Sequence, residues 1–274
     1  MKINCKGQLI DLSIPKVMGV MNVTPDSFFD GGKYKNEYEI VTRAGKILTE
    51  GATFLDIGAY SSRPGADFVS EQEEIDRIVP AIEIILKHFP DALLSIDTFR
   101  AEVAKASIES GAAIINDIAA GGLDDKMFDV IAKYNVPYIM MHMRGNPQTM
   151  QTMTDYEDII KEMLFYFSEK VAKARSLGIN DLILDPGFGF AKTTAQNYEV
   201  LQKMELFNVL ELPVLAGISR KSMIYKTLNI TAQEALNGTT VINTIALTKG
   251  AKILRVHDVK EAMECVTLFN KMSL

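Results

Sequence analysis

Short apolar runs recur along this chain at intervals that alternate with helical periodicity. MGVMNV (18–23), FLDIGA (54–59), LLSIDT (93–98), AIINDI (113–118), PYIMMH (137–142), DLILDP (181–186), PVLAGI (213–218) and AKILRVH (251–257) read as eight buried strands. Between them, EYEIVTRAGKILTEG, EQEEIDRIVPAIEIILKHF, RAEVAKASIESG, DDKMFDVIAKY, YEDIIKEMLFYFSEKVAKARSLG and NYEVLQKMELF carry apolar residues every three or four positions, as amphipathic helices do. MIYKTL predicts a further short helix, DVKEAMECVTLFNKM predicts the last, and the opening KINCKGQLIDL predicts a hairpin across one end. Strand-to-helix units repeated eight times without a midpoint linker predict a single (β/α)8 TIM barrel over residues 1–274. Its length suits a fold of about 250 residues. A doubly wound sheet is the alternative.

Composition narrows the partners. With 29 Lys and Arg against 35 Asp and Glu, the chain carries −6. It is therefore poorly suited to neutralising a nucleic-acid backbone. Cys5 and Cys265 are the two cysteines and form no ligand pattern, which predicts a reducing, cytoplasmic setting. No apolar stretch is long enough to predict a membrane span, and the three histidines are too dispersed to predict a histidine zinc site.

Barrels do their chemistry at the carboxyl ends of the strands. Asn22, Asp56, Asp97, Asn116, His142, Asp185, Arg255 and His257 all sit at or just after an apolar run. Each alone could cap a helix or bond loop backbone. As a ring they predict one ligand site. Arg255 and His257 are two positions apart, so they share a side of the strand and suit phosphate oxygens. Asp258 offers a competing reading, an ion pair with His257.

Three loops add to this picture. MNVTPDSFFDGG and GAYSSRPGADF contain no nucleotide-binding glycine fingerprint, and they predict a lid bringing Phe28 and Arg63 over a planar, charged substrate. GISRKSM places Lys221 and Ser222 at the start of a helix, where a carboxylate or ring carbonyl could be held. Asp97, Asn116 and Asp185 suit a heterocycle rich in N–H donors, and DPGFGFAK offers Phe188 and Phe190 for stacking or for packing.

Taken in order, MGVMNVTPDSFFDGG, DIGAYSSRPGA, SIDT, NDI, HMRGNPQTMQ, DPGFGFAKT, GISRKSM and RVHDV resemble the dihydropteroate synthases across essentially the whole chain. The resemblance implies a commonly dimeric barrel enzyme that joins 7,8-dihydro-6-hydroxymethylpterin diphosphate to para-aminobenzoate, and for which sulfonamides compete. By the same resemblance Asn22 helps bind Mg2+ with the pyrophosphate, Arg255 and His257 hold that anion, and Asp97, Asn116, Asp185 and Lys221 form the pterin pocket. Ser222 receives the aminobenzoate carboxylate; Phe28, Ser62, Arg63, Pro64 and Phe190 complete that subsite. The expected catalytic group is Arg63, Asp97, Lys221, Arg255 and His257. The chain departs from the common GGESTRPG wording, with Ala59, Tyr60 and Ser62 in place of glycine, glutamate and threonine. Ala191 also stands where glycine is frequent. Two other readings share the barrel: a pterin-binding domain that transfers a methyl group from methyltetrahydrofolate, and a noncatalytic ligand-binding barrel. Neither requires the RPG, SRKS and RVH stretches together.

Overall fold

The computed structural model describes residues 1–23, 33–60 and 69–272. Phe28, Ser62, Arg63 and Pro64, and with them the expected lid, lie outside the described residues. An antiparallel pair, β1 (Lys2–Cys5) and β2 (Gln8–Asp11), precedes the barrel. Its turn places Lys6 at φ 53° and Gly7 at φ 82°, the left-handed pair that a tight hairpin requires.

The barrel strands are β3 (Lys16–Asn22), β4 (Phe54–Gly58), β5 (Leu93–Asp97), β6 (Ile114–Asp117), β7 (Tyr138–Met141), β8 (Leu182–Asp185), β9 (Val214–Ala216) and β10 (Ala251–Val256). Each pairs in parallel with its neighbour in sequence, and β10 closes on β3 through Ile253 opposite Lys16 and Arg255 opposite Met18. The closed (β/α)8 barrel and its hairpin follow the sequence expectation, and the doubly wound sheet does not occur. Strand runs are almost wholly buried because helices cover their outer faces while side chains fill the interior.

Around the strands pack α1 (Lys33–Thr49), α2 (Glu71–His88), α3 (Ala101–Glu109), α4 (Met127–Tyr134), α5 (Ile159–Ser176), α6 (Thr194–Gln202), α7 (Ser222–Leu228), α8 (Leu236–Thr248) and α9 (Val259–Met272). Local chemistry sets several of these ends. The Ser70 hydroxyl caps α2 by accepting from Glu73 N, and His88 is the last residue of that helix. Thr193 and Gln196 form a reciprocal capping box at the start of α6, three residues before NYEVLQKMELF begins. The remainder of that stretch is a 3-10 turn, Met204–Leu210. Absent from the sequence expectation is α8, rich in Thr, Val and Ile and interrupted by Gly238. A Cβ on Gly238 would stand 2.5 Å from Ile224 Cγ2, so this glycine lets α8 lie close against α7.

Two cores result. Strand outer faces and helix inner faces form the larger one, from Val17 and Ile47 round to Val259 and Val266. The other closes the amino-terminal end of the barrel: Ile3, Cys5, Ile10 and Leu12 of the hairpin pack on Met18, Phe54, Ile139, Ile183 and Ile253. The hairpin is thus a plug across the end opposite the strand carboxyl termini, which leaves only the other mouth for polar side chains. Among the described residues no helix is long and apolar enough to cross a membrane.

Candidate active site

At the carboxyl end of the barrel, Asp97, Asn116, Asp185, Phe190, Lys221 and Arg255 line one pocket together with Ile118, Met141 and Gly217. Six residues predicted from sequence therefore converge from β5, β6, β8, β10 and the two loops that follow β8 and β9. A roomier open groove lies near the ends of α1 and α2, but its titratable members His88 and Asp91 are exposed and nothing charged is buried there.

Arg255 organises the pocket floor. Its Nε donates to Asp56 Oδ2 at 2.5 Å and its Nη2 to Asp97 Oδ2 at 2.7 Å. Asp56 is fully buried and also accepts from Ser95 Oγ at 2.6 Å and, at 3.3 Å, from Asn116 Nδ2. Burial works against the guanidinium charge, but Asp56 and Asp97 outweigh it and hold Arg255 firmly protonated. Asp97 has the opposite balance. Burial, reinforced by Asp56, pushes its carboxyl up to about 7 despite Arg255.

The second wall is built by the loop after β8. Asp185 Oδ1 accepts from Gly187 N at 2.8 Å; burial raises its carboxyl, while Lys221 and the Gly187 amide pull it back down. Lys221, the N-cap residue of α7, reaches across to donate to the Phe188 carbonyl and lies 4.9 Å from the centre of the Phe190 ring. Burial lowers its ammonium to about 8, and Asp185 opposes that shift. Phe188 itself is wholly buried in the larger core, so it packs and does not stack in the mouth. The left-handed conformation that a glycine would favour is adopted here by buried Ala191, at φ 48°.

His257 stands one residue beyond β10, anchored on Ser219. Ser219 Oγ accepts from the His257 backbone N–H at 3.2 Å and lies 3.1 Å from Nδ1. A hydroxyl can donate to Nδ1 or accept from it, so Ser219 holds the ring in place in either tautomer. The Asp258 carboxylate is engaged by Arg220. It forms a two-point pair with Arg220, Nε to Oδ2 at 2.8 Å and Nη2 to Oδ1 at 2.9 Å, which ties the SRKS turn to the end of β10. Asn22 borders the same mouth: a Cβ placed on Gly58 would stand 3.7 Å from Asn22 Oδ1 and 3.9 Å from Asp97 Oδ2. Ser222 is the first residue of α7, next to Lys221.

Among the site residues that sequence reasoning missed are Ser95, Ser219 and Lys192, all buried. Asp56 was visible as a polar residue at a strand end but not as the anchor of Arg255. His142 also sits at a strand end. Its ring is buried behind the pocket against Tyr166, 4.9 Å between ring centres, and burial holds its imidazole well below the usual range. The substituted second loop begins with Ala59, buried, whose carbonyl accepts from Arg77. Tyr60 packs edge-on against Phe99 at 5.5 Å, with the Arg100 guanidinium 5.4 Å from its ring centre. An aromatic contact thus occupies the position where a carboxylate is usual.

Comparison with known proteins gives this geometry its context. A family model described as pterin binding enzyme matches residues 18–257. Dihydropteroate synthase of Escherichia coli K12 is 43% identical over 268 residues, covering 97% of this chain and 94% of the relative; that of Bacillus subtilis is 42% identical over 258 residues, covering 93% and 88%. The crystal structure of Yersinia pestis dihydropteroate synthase with a sulfonamide drug complex superposes with a TM-score of 0.92 at 42% identity, covering 100% of this chain and 99% of that one. The Xanthomonas albilineans synthase with 4-aminobenzoic acid gives 0.91 at 36%, covering 99% and 98%. Agreement over nearly the full length in sequence, barrel and motif order means that this chain belongs to the dihydropteroate synthase family of pterin binding enzymes.

Proposed function

We propose that the pocket between Asp97, Asn116, Asp185, Lys221 and Arg255 is where this dihydropteroate synthase holds its pterin and starts the departure of diphosphate. The reaction joins 7,8-dihydro-6-hydroxymethylpterin diphosphate to para-aminobenzoate and releases pyrophosphate, giving 7,8-dihydropteroate. The observation that carries the residue roles is the placement of two carboxylates and an amide opposite two cations in one pocket. Carboxylates accept from the N–H groups of a heterocycle, and each charge-assisted bond contributes roughly 1.5–3 kcal/mol. Lys221 and the Phe190 ring face the same space, one suited to a ring carbonyl and the other to a ring face.

Chemically, no protein nucleophile is required. The C–O bond to the diphosphate breaks with its electron pair going to oxygen, and conjugation in the dihydropterin stabilises the methylene cation left behind. The aminobenzoate nitrogen then supplies its lone pair to form the C–N bond and loses a proton. Arg255 and the His257 ring stabilise charge on the departing oxygens. Ser222 receives the aminobenzoate carboxylate. The residues fit a magnesium ion only lightly: Asn22 is exposed and offers one neutral hard oxygen, and no cluster of three or more His, Cys, Asp or Glu occurs among the described residues. That suits an ion bound mainly by substrate phosphates and water, for which Asn22 would be the protein ligand and whose chemistry is to neutralise diphosphate charge. A homodimer in the reducing cytoplasm remains our reading for the assembly.

The test is pyrophosphate release with magnesium, with and without para-aminobenzoate, alongside mass detection of dihydropteroate. Release that needs aminobenzoate and matches product supports these roles; tight pterin binding without product removes them.

A pH dependence follows from the same pocket. Asp97 must be ionised to accept N–H groups, and its carboxyl is raised to about 7; Lys221 must be protonated, and its ammonium is lowered to about 8. Pterin affinity is expected to peak between these values, falling about tenfold per unit on the acid side. The sign for stability differs. A carboxyl raised on folding binds more protons in the native state, so Asp97 contributes stability below its unfolded value that is lost as pH rises through about 7. Calorimetric titration of a pterin across about pH 5.5 to 8.5 checks the affinity arm. An acid limb that persists unchanged in Asp97→Asn would show that another group sets it.

A further inference from the structure

A buried lysine stands just behind the pocket with no part in the chemistry above. Lys192 is 7% exposed, and its Nζ lies 3.0 Å from His142 Nδ1, 3.1 Å from Gly187 O and 3.1 Å from Phe190 O. Those three acceptors match the three protons of one ammonium, which therefore closes the loop after β8 on itself and fastens it to the end of β7. We infer that Lys192 is a positioning residue for the pterin pocket, using His142 as its fixed post, and that it acts through Asp185, Phe190 and Lys221 without touching substrate.

The loop it holds has no regular secondary structure to keep it in place. Gly187 and Gly189 lie at φ 67° and 83°, and Ala191 at φ 48°. Three consecutive pocket contacts nevertheless depend on it: Gly187 N donates to Asp185, the Phe188 carbonyl accepts from Lys221, and the Phe190 ring lies beneath the Lys221 ammonium. Asn197 is a second fastening, accepting from Gly189 N at 2.7 Å and donating to Lys192 O at 3.3 Å. His142 suits the post for two reasons. Its backbone N–H donates to Asp185 O at 2.9 Å, so ring and pocket carboxylate share one frame, and its ring is wedged among Tyr156, Tyr166 and Phe167. Burial lowers the imidazole well below its usual range, which agrees with a neutral ring; it also lowers the lysine, to about 7, a shift that Asp185 opposes. A buried ammonium beside carbonyls and a neutral imidazole is an unfavourable way merely to fill space. Geometric control of the neighbouring pocket explains why one is kept.

This inference rests on the pterin reading of the pocket, and its test separates the two. In the wild type, 15N-edited NMR of the three histidines, assigned through His88→Gln and His257→Gln, should show His142 neutral with its proton on Nε2 throughout the stable pH range. A proton on Nδ1, or titration near the ordinary histidine value, would overturn the proposal without any lysine variant. Lys192→Met keeps the stem and removes the three donors; it should raise the KM for pterin diphosphate about tenfold or more. Lys192→Gln, which retains two N–H donors, should recover part of that loss. A folded Lys192→Met enzyme with wild-type KM for pterin diphosphate, or a Lys192→Gln enzyme no better than Lys192→Met, would remove the positioning role. Absence of aminobenzoate-dependent pyrophosphate release from the wild type would instead remove the reading on which it rests.

Discussion

Replacing Arg255 with methionine is expected to lower stability by about 3–5 kcal/mol and turnover by on the order of 10²–10³. Methionine keeps a stem that can lie in the barrel mouth, so the packing change is small. The electrostatic change is large. Asp56, with no solvent exposure, would retain only the Ser95 hydroxyl and a long contact to the Asn116 amide as donors, while Asp97 would lose its guanidinium partner. Two carboxylates that share one cation cannot both stay ionised beside each other in a dry pocket. One of them must take up a proton, and pterin binding, which needs Asp97 as an acceptor, should weaken with it.

The double variant Arg255→Met with Asp56→Asn separates the two consequences. Removing the orphaned charge should restore much of the stability, while turnover stays low because nothing replaces the guanidinium at the leaving oxygens. Denaturant unfolding and pyrophosphate release measure the two arms. An Arg255→Met protein as stable as wild type would mean that the Asp56–Arg255–Asp97 arrangement is not maintained in solution. Turnover within tenfold of wild type would take Arg255 away from the diphosphate.

Those same residues mark how far sequence could be read. Every barrel strand was visible because a strand buried on both faces is a nearly continuous apolar run, as in LLSID and LILD. Polar residues ending such runs stood out, and Asp97, Asn116, Asp185 and Arg255 do meet. What stayed hidden depends on pairings with no local signature. Asp56 and Arg255 are 199 positions apart, Lys192 and His142 are 50 apart, and Arg220 and Asp258 are 38 apart. Adjacency suggested His257 with Asp258 but gave no sign of Arg220, whose left-handed turn, φ 55°, brings its guanidinium to Asp258 at the strand end. The segment that forms α8 has Thr, Val and Ile that read poorly as helix formers, and its helix is supported by packing, with Gly238 against Ile224 and Ile242, Ala246 and Leu247 in the larger core. Phe188 and Phe190, two positions apart, look equivalent in sequence, yet one belongs to the core and the other to the pocket.

Gly187→Ala should be the most damaging single methyl added near this pocket. At φ 67° an alanine already costs about 1 kcal/mol relative to glycine. Its Cβ would also stand 2.2 Å from the His142 carbonyl oxygen and 3.1 Å from Met141 Cγ. The first neighbour is backbone at the end of a barrel strand and cannot swing aside as a side chain could. Relief requires the loop to move outward, which withdraws Gly187 N from Asp185 and Gly187 O from Lys192. Overpacking of this kind adds roughly 1–3 kcal/mol, so a total loss of about 2–4 kcal/mol is expected, with pterin affinity falling further as Asp185 loses its donor. Gly189→Ala is the matched control. It has a comparable φ of 83°, but its Cβ would meet only Lys221 Cδ at 3.4 Å, ordinary contact with a flexible side chain. The second variant should therefore show the conformational term alone. Equal losses of stability in the two proteins would mean that the close approach of Gly187 to the β7 terminus does not shape the pocket; a larger loss at Gly187, accompanied by weaker pterin binding in calorimetry, would show that this contact fixes where Asp185 stands.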